Sequence, residues 1–390
     1  MSRQVYLDHA AATAIHPKVW VKMRPFFEEE FGNPGAIYEL GVRANKAIEN
    51  SRKQIAQILN AQADEIIFTS GGTEANNLAL IGCAWARKHA GDHIITTPIE
   101  HASVLEPCRE LERNGLKITY LPVDRFGLVN PKQIQEAITP KTILISVMSA
   151  NNEVGTIEPI QDIGKLILQI NKARTLENLP VIYFHSDAVQ AASFLDLNVN
   201  KLHTDLLTIN ASKIYGPKGV GVLYKKRSAS IKPLIWGGGQ EEGRRGGTEN
   251  PGLIAGLSAS LALAQNTRHK ETQRLKKIRD YFWQNLSKKI EGATLNGHPQ
   301  MRLPNNLHIS IKGIDGEALL IYLDAAGIQC STGAACSLIE AESSHVLHAL
   351  GLSDEQIKSS LRFSLGRSTT KKDLDYVLTI LPEAIKKIQF

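Results

Sequence analysis

A chain of 390 residues, 43% hydrophobic and 22% charged, closes a core without disulfides or a structural metal, because at this length roughly three quarters of the unfolded surface is buried. That balance, with 30 glycines and 16 prolines, excludes disordered and collagen-like chains. The 45 Lys and Arg against 39 Asp and Glu leave a net charge of +6, mild over this length and without a block of five like charges, so direct nucleic-acid binding is not expected and a phosphate-bearing ligand is compatible.

The first residues reach Asp8 before any apolar signal core can form, and no run of eighteen apolar residues follows, which predicts a cytoplasmic protein with no membrane contact. The four cysteines, Cys83, Cys108, Cys330 and Cys336, are too few and too uneven for a disulfide framework. A cysteine with a special role therefore acts as a thiol. A Cys330–Cys336 redox pair would lack the C-x-x-C spacing.

Between Ile66 and Tyr224, short apolar runs (66–69, 93–96, 118–121, 143–147, 181–184, 206–209) alternate with segments of helical spacing such as 74–89, 103–114 and 160–171. Runs that are apolar at every position are strands covered on both faces. The fold class is thus α/β, a mostly parallel central sheet with helices on both faces. The Gly-rich stretch from Trp236 to Thr248 reads as an irregular loop. Beyond it, Leu275, Ile278, Phe282, Leu286 and Ile290 form one apolar helical stripe. A strand at 306–311, a helix at 316–326, a strand at 362–365 and a final helix make a smaller α+β domain. The expected division is 16–268 for the large domain, with 1–15 and 269–390 forming the small one.

Ligands of parallel sheets bind at the carboxyl ends of the strands, so the polar residues just past each run are the candidates. Gly71-Gly72-Thr73 stands between a strand and a helix, where backbone N–H groups and the Thr73 hydroxyl suit either a phosphate or a plain helix cap. Asp187 and Gln190 follow another strand, as a capping pair or as a site pair. His101 follows Glu100 in a position equally suited to stacking on a planar ligand, moving protons, or a structural role. Lys213, past the run at 206–209, is either a counter-charge to phosphate or an amine that forms a Schiff base with an aldehyde. A phosphate cradle, an imidazole, a carboxylate and a lysine on separate strand ends together suggest pyridoxal 5'-phosphate. The carboxylate would keep the pyridine nitrogen protonated and the lysine would hold the aldehyde.

The chain also resembles the cysteine desulfurases with a long catalytic loop, class V aminotransferase relatives among the fold type I pyridoxal-phosphate enzymes. The resemblance runs over almost the full length. It is carried by Tyr6-Leu7-Asp8-His9-Ala10-Ala11, Phe31-Gly32-Asn33-Pro34, Phe68-Thr69-Ser70-Gly71-Gly72-Thr73-Glu74, Glu100-His101, Asn151-Asn152-Glu153-Val154-Gly155, Lys213-Ile214-Tyr215-Gly216-Pro217-Lys218-Gly219, Ser331-Thr332-Gly333-Ala334-Ala335-Cys336 and Arg362-Phe363-Ser364-Leu365-Gly366-Arg367. It implies a catalytic set of Lys213 on the cofactor aldehyde, His101 stacked on the ring and Cys336 as sulfur-accepting nucleophile. It further implies Asp187 on the pyridine nitrogen, Gln190 and Asn152 toward the phenolic oxygen and the substrate, and Gly72, Thr73 and Ser212 on the phosphate. Thr248 would complete that cradle from the other subunit of a homodimer, and Arg362 would bind the substrate carboxylate. No metal is implied.

The implied reaction removes sulfur from L-cysteine, leaves L-alanine, and passes a Cys336 persulfide to a sulfur-acceptor or scaffold protein. Iron–sulfur assembly, tRNA thiolation and DNA sulfur modification are the candidate destinations. A selenocysteine lyase or another aminotransferase-like enzyme is the alternative. Two stretches depart from the family pattern. Asn210-Ala211-Ser212 replaces the usual Ser-Gly-His before the lysine, and Ser337-Leu338-Ile339-Glu340 replaces a Thr-Ser-rich run after Cys336.

Overall fold

The computed structural model describes residues 3–332 and 343–388. Its strands, in chain order, are β1 (Val5–Tyr6), β2 (Ile66–Thr69), β3 (His93–Thr96), β4 (Lys117–Tyr120), β5 (Thr142–Ser146), β6 (Tyr183–Asp187), β7 (Leu206–Asn210), β8 (Gly221–Lys225), β9 (Ala293–Leu295), β10 (Asn306–Ile311), β11 (Ile328–Gln329) and β12 (Ser360–Ser364). Seven of them form one sheet in the order β2-β8-β7-β6-β5-β3-β4. Only β8 runs against its neighbours there; the pairs β7–β6, β6–β5, β5–β3 and β3–β4 are parallel.

Every residue of β3, β5 and β6 is buried, which is why their sequences lack an inside–outside alternation. Polar members of β6 survive burial because neighbouring strands satisfy them. His185 lies between Ser146 Oγ at 2.8 Å and Thr208 Oγ1 at 3.1 Å. Desolvation takes its pKa down to about 3, so it stays neutral inside the sheet. At the other margin, the turn leaving β2 crosses directly over the start of β8. A Cβ on Gly221 would fall 2.6 Å from the Gly71 carbonyl carbon, so only glycine permits this approach.

A second, three-stranded sheet (β12-β10-β9) is antiparallel, and β1 pairs in parallel with β11. One apolar cluster joins Val5 and Leu7 to Leu275, Phe282, Leu286, Leu361, Phe363 and the last helix, Lys371–Ile388. Phe282 and Phe363 meet edge to face with centroids 5.3 Å apart, worth about 1 kcal/mol beyond area burial. The chain thus returns its first residues to the layer built by its last.

Both layers share one element. The helix Pro251–Lys289 is 39 residues long and runs straight through position 268, where a domain boundary was expected. Its second half carries the apolar stripe read from the sequence, with Leu275, Phe282 and Leu286 buried. Its first half buries Ile254, Leu257 and Leu261 in the apolar cluster of the large sheet and also approaches its neighbours closely at glycines. A Cβ on Gly256 would stand 2.6 Å from Met23 Sδ, in the helix Pro17–Met23.

Candidate active site

The candidates chosen because each follows a strand are delivered to one place. β7, β6, β5 and β3 are consecutive parallel neighbours, and at or past their carboxyl ends come Lys213, Asp187, Asn152 and His101 respectively. Lys213 closes the short 3-10 turn Ala211–Lys213, whose approach is fixed by Asn210 Oδ1 accepting from Ser212 N at 3.3 Å. Asp187 is the last residue of β6 and is 6% exposed. Asn152 is presented by an Asx turn in which Asn151 Oδ1 accepts from both Glu153 N and Val154 N at 2.9 Å. Gly155 completes that turn at φ 76°, pressed so closely on Asn306 that a side chain has no room.

A chain of hydrogen bonds joins the carboxylate to the imidazole. Asp187 Oδ2 accepts from Asn76 Nδ2 at 2.7 Å, and Oδ1 accepts from Val189 N at 2.9 Å. Asn76 Nδ2 also donates to Ser103 Oγ at 2.8 Å, and that hydroxyl lies 2.8 Å from His101 Nδ1. His101 is the cap of helix Ala102–Arg113, accepting from Ser103 N at 3.1 Å. Its pKa is lowered, chiefly by burial; the nearby Asp187 charge opposes this, while Lys213 and His345 reinforce it. Those couplings put the imidazole within electrostatic reach of both the carboxylate and the amine.

The N-terminal segment straps the site together. Asp8 Oδ1 pairs with Arg362 Nη2 at 2.9 Å, the Ala10 carbonyl accepts from Gln190 Nε2 at 3.0 Å, and the Ala11 carbonyl accepts from Lys213 Nζ. Thr13 Oγ1 donates to the Ser212 carbonyl at 2.9 Å. Arg362, on β12 and 3% exposed, also donates from Nη1 to the Asn152 carbonyl at 3.1 Å, and its buried Nε has no hydrogen-bond partner. A guanidinium with donors left over is suited to a carboxylate arriving from outside.

Gly72 and Thr73 open a continuous helix made of Gly72–Asn77, the π-helical Leu78–Gly82 and Cys83–Arg87. A Cβ on Gly72 would fall 3.1 Å from Val189 Cγ2 and 3.5 Å from Asn210 Cβ, so glycine keeps this helix start close to the strand ends. First-turn N–H groups, the exposed Thr73 and the half-buried Ser212 form a donor set for an anion. With a buried carboxylate and a lysine amine beside it, the set fits pyridoxal phosphate. Thr248 is exposed in the Gly-rich loop and shares no hydrogen bond with these residues among those described.

Cys336 lies outside the described residues. The chain on either side of that stretch is tied to the site. Ser331 and Arg362 exchange backbone bonds, with Arg362 N donating to Ser331 O at 2.6 Å. Ser344 Oγ donates to Glu153 Oε2 at 2.6 Å, and His345 Nε2 donates to the Glu100 carbonyl at 2.9 Å. The described cysteines are poor nucleophiles. Burial pushes the thiols of Cys83 and Cys108 up to about 12, and that of Cys330 up as well.

Asp8, Asn76, Ser103 and Ser344 were given no site role from sequence. Asn76 had a signal, since it stands four residues after Gly72 on the same helical face. Glu100, next to His101, is fully buried with its pKa raised well above the usual carboxylate value by desolvation. Its Oε1 accepts from Met148 N and Thr97 Oγ1, each at 2.9 Å.

Residues 5–377 match the aminotransferase class-V family. A cysteine desulfurase IscS of Dictyoglomus turgidum is 48% identical over 389 residues, covering 100% of this chain and 96% of its own length. One from Methanosarcina thermophila is 45% identical, with 100% and 93% covered. Among solved structures, a NifS-like protein superposes with a TM-score of 0.91 at 34% identity, over 99% of this chain and 100% of its own. SspA in complex with cysteine gives a TM-score of 0.79 at 34% identity, over 93% and 99%.

Proposed function

The chain belongs to the class-V aminotransferase family, with cysteine desulfurases as full-length relatives, and from that premise we infer a pyridoxal-phosphate-dependent cysteine desulfurase that takes sulfur from L-cysteine and releases L-alanine. The observation that carries the reading is the convergence of the Lys213 amine, the Asp187 carboxylate and the His101 imidazole at the carboxyl ends of one parallel run, β7-β6-β5-β3. When bound, pyridoxal phosphate supplies an electron sink that loosens bonds at the substrate carbon. Lys213 would hold its aldehyde and would move protons at the substrate. Asp187 would pair with the pyridine nitrogen, with Asn76 orienting the carboxylate. His101 would pack on the ring, and Gln190 and Asn152 would reach toward its phenolic oxygen and the substrate. Gly72, Thr73 and Ser212 would hold the phosphate.

Arg362 receives the substrate carboxylate. Arg362→Lys keeps the charge but loses the planar fork, so KM for L-cysteine should rise roughly 10- to 100-fold with a smaller change in kcat, as initial-rate measurements would reveal. An unchanged KM would remove Arg362 from the substrate site.

Cys336 carries the sulfur. Its thiolate attacks the substrate sulfur and the carbon–sulfur bond breaks. The electron pair stays on carbon, which takes up a proton, and a protein persulfide is left for an acceptor protein. The anchoring of both flanks of this stretch beside Arg362 and Glu100–His101 supports the assignment. Incubating loaded enzyme with L-cysteine and quantifying alanine, persulfide and keto acid tests the function. Keto acid without alanine would turn the reading toward an aminotransferase.

The active unit is a homodimer. Support comes from apolar side chains left open on one stretch of chain and in the Gly-rich loop that bears Thr248, among them Ile37 at 96% and Trp236 at 74% exposure. Sedimentation equilibrium should return twice the 42.8 kDa chain mass, and Thr248→Ala should weaken cofactor binding. A monomer with full cofactor affinity would exclude a shared cradle. Among the described residues no helix is long and apolar enough to cross a membrane.

A further inference from the structure

The site contains two buried polar groups whose effect on His101 the reaction as derived does not use, Asn76 and Ser103. Asn76 is 1% exposed, and its one amide nitrogen bridges the Asp187 carboxylate at 2.7 Å and the Ser103 hydroxyl at 2.8 Å. Ser103 is 7% exposed and meets His101 Nδ1 twice, through its hydroxyl at 2.8 Å and its backbone N–H at 3.1 Å. A backbone N–H only donates, so Nδ1 is the accepting nitrogen. The hydroxyl accepts from Asn76 and has its own proton left to point at the same lone pair.

We propose that Asn76 and Ser103 are positioning residues that lock His101 as the tautomer protonated on Nε2 and couple its orientation to that of Asp187. The proposal rests on the pyridoxal-phosphate reading for its purpose and on hydrogen-bond geometry for its content. With Nδ1 occupied, proton exchange at His101 runs through Nε2 alone, and the ring cannot rotate without breaking the helix cap. One amide thereby ties the group that faces the pyridine nitrogen to the group that packs on the ring, so a shift in either is felt by the other.

The tautomer is read directly on cofactor-free protein. Histidine is labelled with 15N, two-bond proton–nitrogen correlations are recorded above pH 7.5, and the His101 signals are assigned by their loss in His101→Asn. The expected pattern is a neutral ring with the proton on Nε2. A proton on Nδ1, or a signal averaged between tautomers, overturns the proposal. In the loaded enzyme, Ser103→Ala should move the pH profile of kcat and the absorbance titration of the bound cofactor, and lower kcat roughly 5- to 100-fold with little change in KM. Ser103→Thr, which restores the hydroxyl, should recover both.

Because Asp187, Lys213, His345 and Glu153 also act electrostatically on His101, the profile is compared between variants with all four intact. Asn76→Ala should shift the same absorbance titration. A Ser103→Ala or Asn76→Ala protein with wild-type spectrum and profile overturns the coupling. Failure of the wild-type protein to form alanine from L-cysteine would instead strike the functional reading, while the tautomer measurement still stands on its own.

Discussion

Lys213→Ala should give a protein that folds, carries no visible cofactor band after reconstitution, and forms alanine from L-cysteine more than about a thousandfold more slowly than wild type. The size of the effect follows from one amine having two tasks, holding the aldehyde and moving protons at the substrate. Folding should survive. Lys213 is half-buried at the end of a short turn, and losing the hydrogen bond from its Nζ to the Ala11 carbonyl costs about 1 kcal/mol. Thermal unfolding of the cofactor-free variant checks this. Lys213→Arg sharpens the test, since it preserves the positive charge near the phosphate donors but offers no amine that can be deprotonated. It should retain some cofactor affinity and still show no band. Were either variant to keep the band and the turnover, the aldehyde would be held elsewhere and the assignment of the whole strand-end cluster would fall.

The sequence was most informative where burial is complete on both faces. β3 and β5 were legible because every residue in them is covered, so their centres, Ile94–Ile95 and Ile143–Ile145, are continuously apolar, with polar residues only at the strand ends. β6 was read too early, at 181–184, whereas the strand is Tyr183–Asp187. Its last three residues are polar, and only the cross-strand partners Ser146 and Thr208 make His185 a strand residue. The long helix shows the same contrast. Both halves bury an apolar stripe, Ile254, Leu257 and Leu261 in the first and Leu275, Phe282 and Leu286 in the second, but the close approaches at Gly252 and Gly256 are something no hydrophobic count detects. The site divides in a similar way. Lys213, Asp187 and His101 announce themselves by following strands. Asp8 does not, because its meaning lies in a bond to Arg362 354 positions away. Asn76 and Ser103 became functional only when two helices were seen to share one amide.

Cys336→Ala should separate cofactor chemistry from sulfur transfer. Lys213, Asp187 and His101 are untouched, so the variant should reconstitute with a normal band, and L-cysteine should still change that band on mixing. Persulfide should be absent, and alanine formation should fall at least about a hundredfold, because without an attacking thiolate the substrate sulfur has no acceptor. Substitution by another cysteine of the chain is disfavoured by its own surroundings. With pKa values pushed up to about 12, Cys83 and Cys108 hold roughly one thiolate in ten thousand at pH 8, and both lie buried in the cluster between the sheet and its helices. Cys330 follows β11 and is likewise shifted upward by burial, with Asp8 adding to the effect. Alkylation followed by peptide mass spectrometry should therefore find the extra sulfur on Cys336 of the wild-type enzyme and on no cysteine of the variant. A persulfide at Cys330, or alanine produced at the wild-type rate by Cys336→Ala, would transfer the nucleophile's role to another group. The tether from Ser344 to Glu153 would then hold a segment that the chemistry does not use.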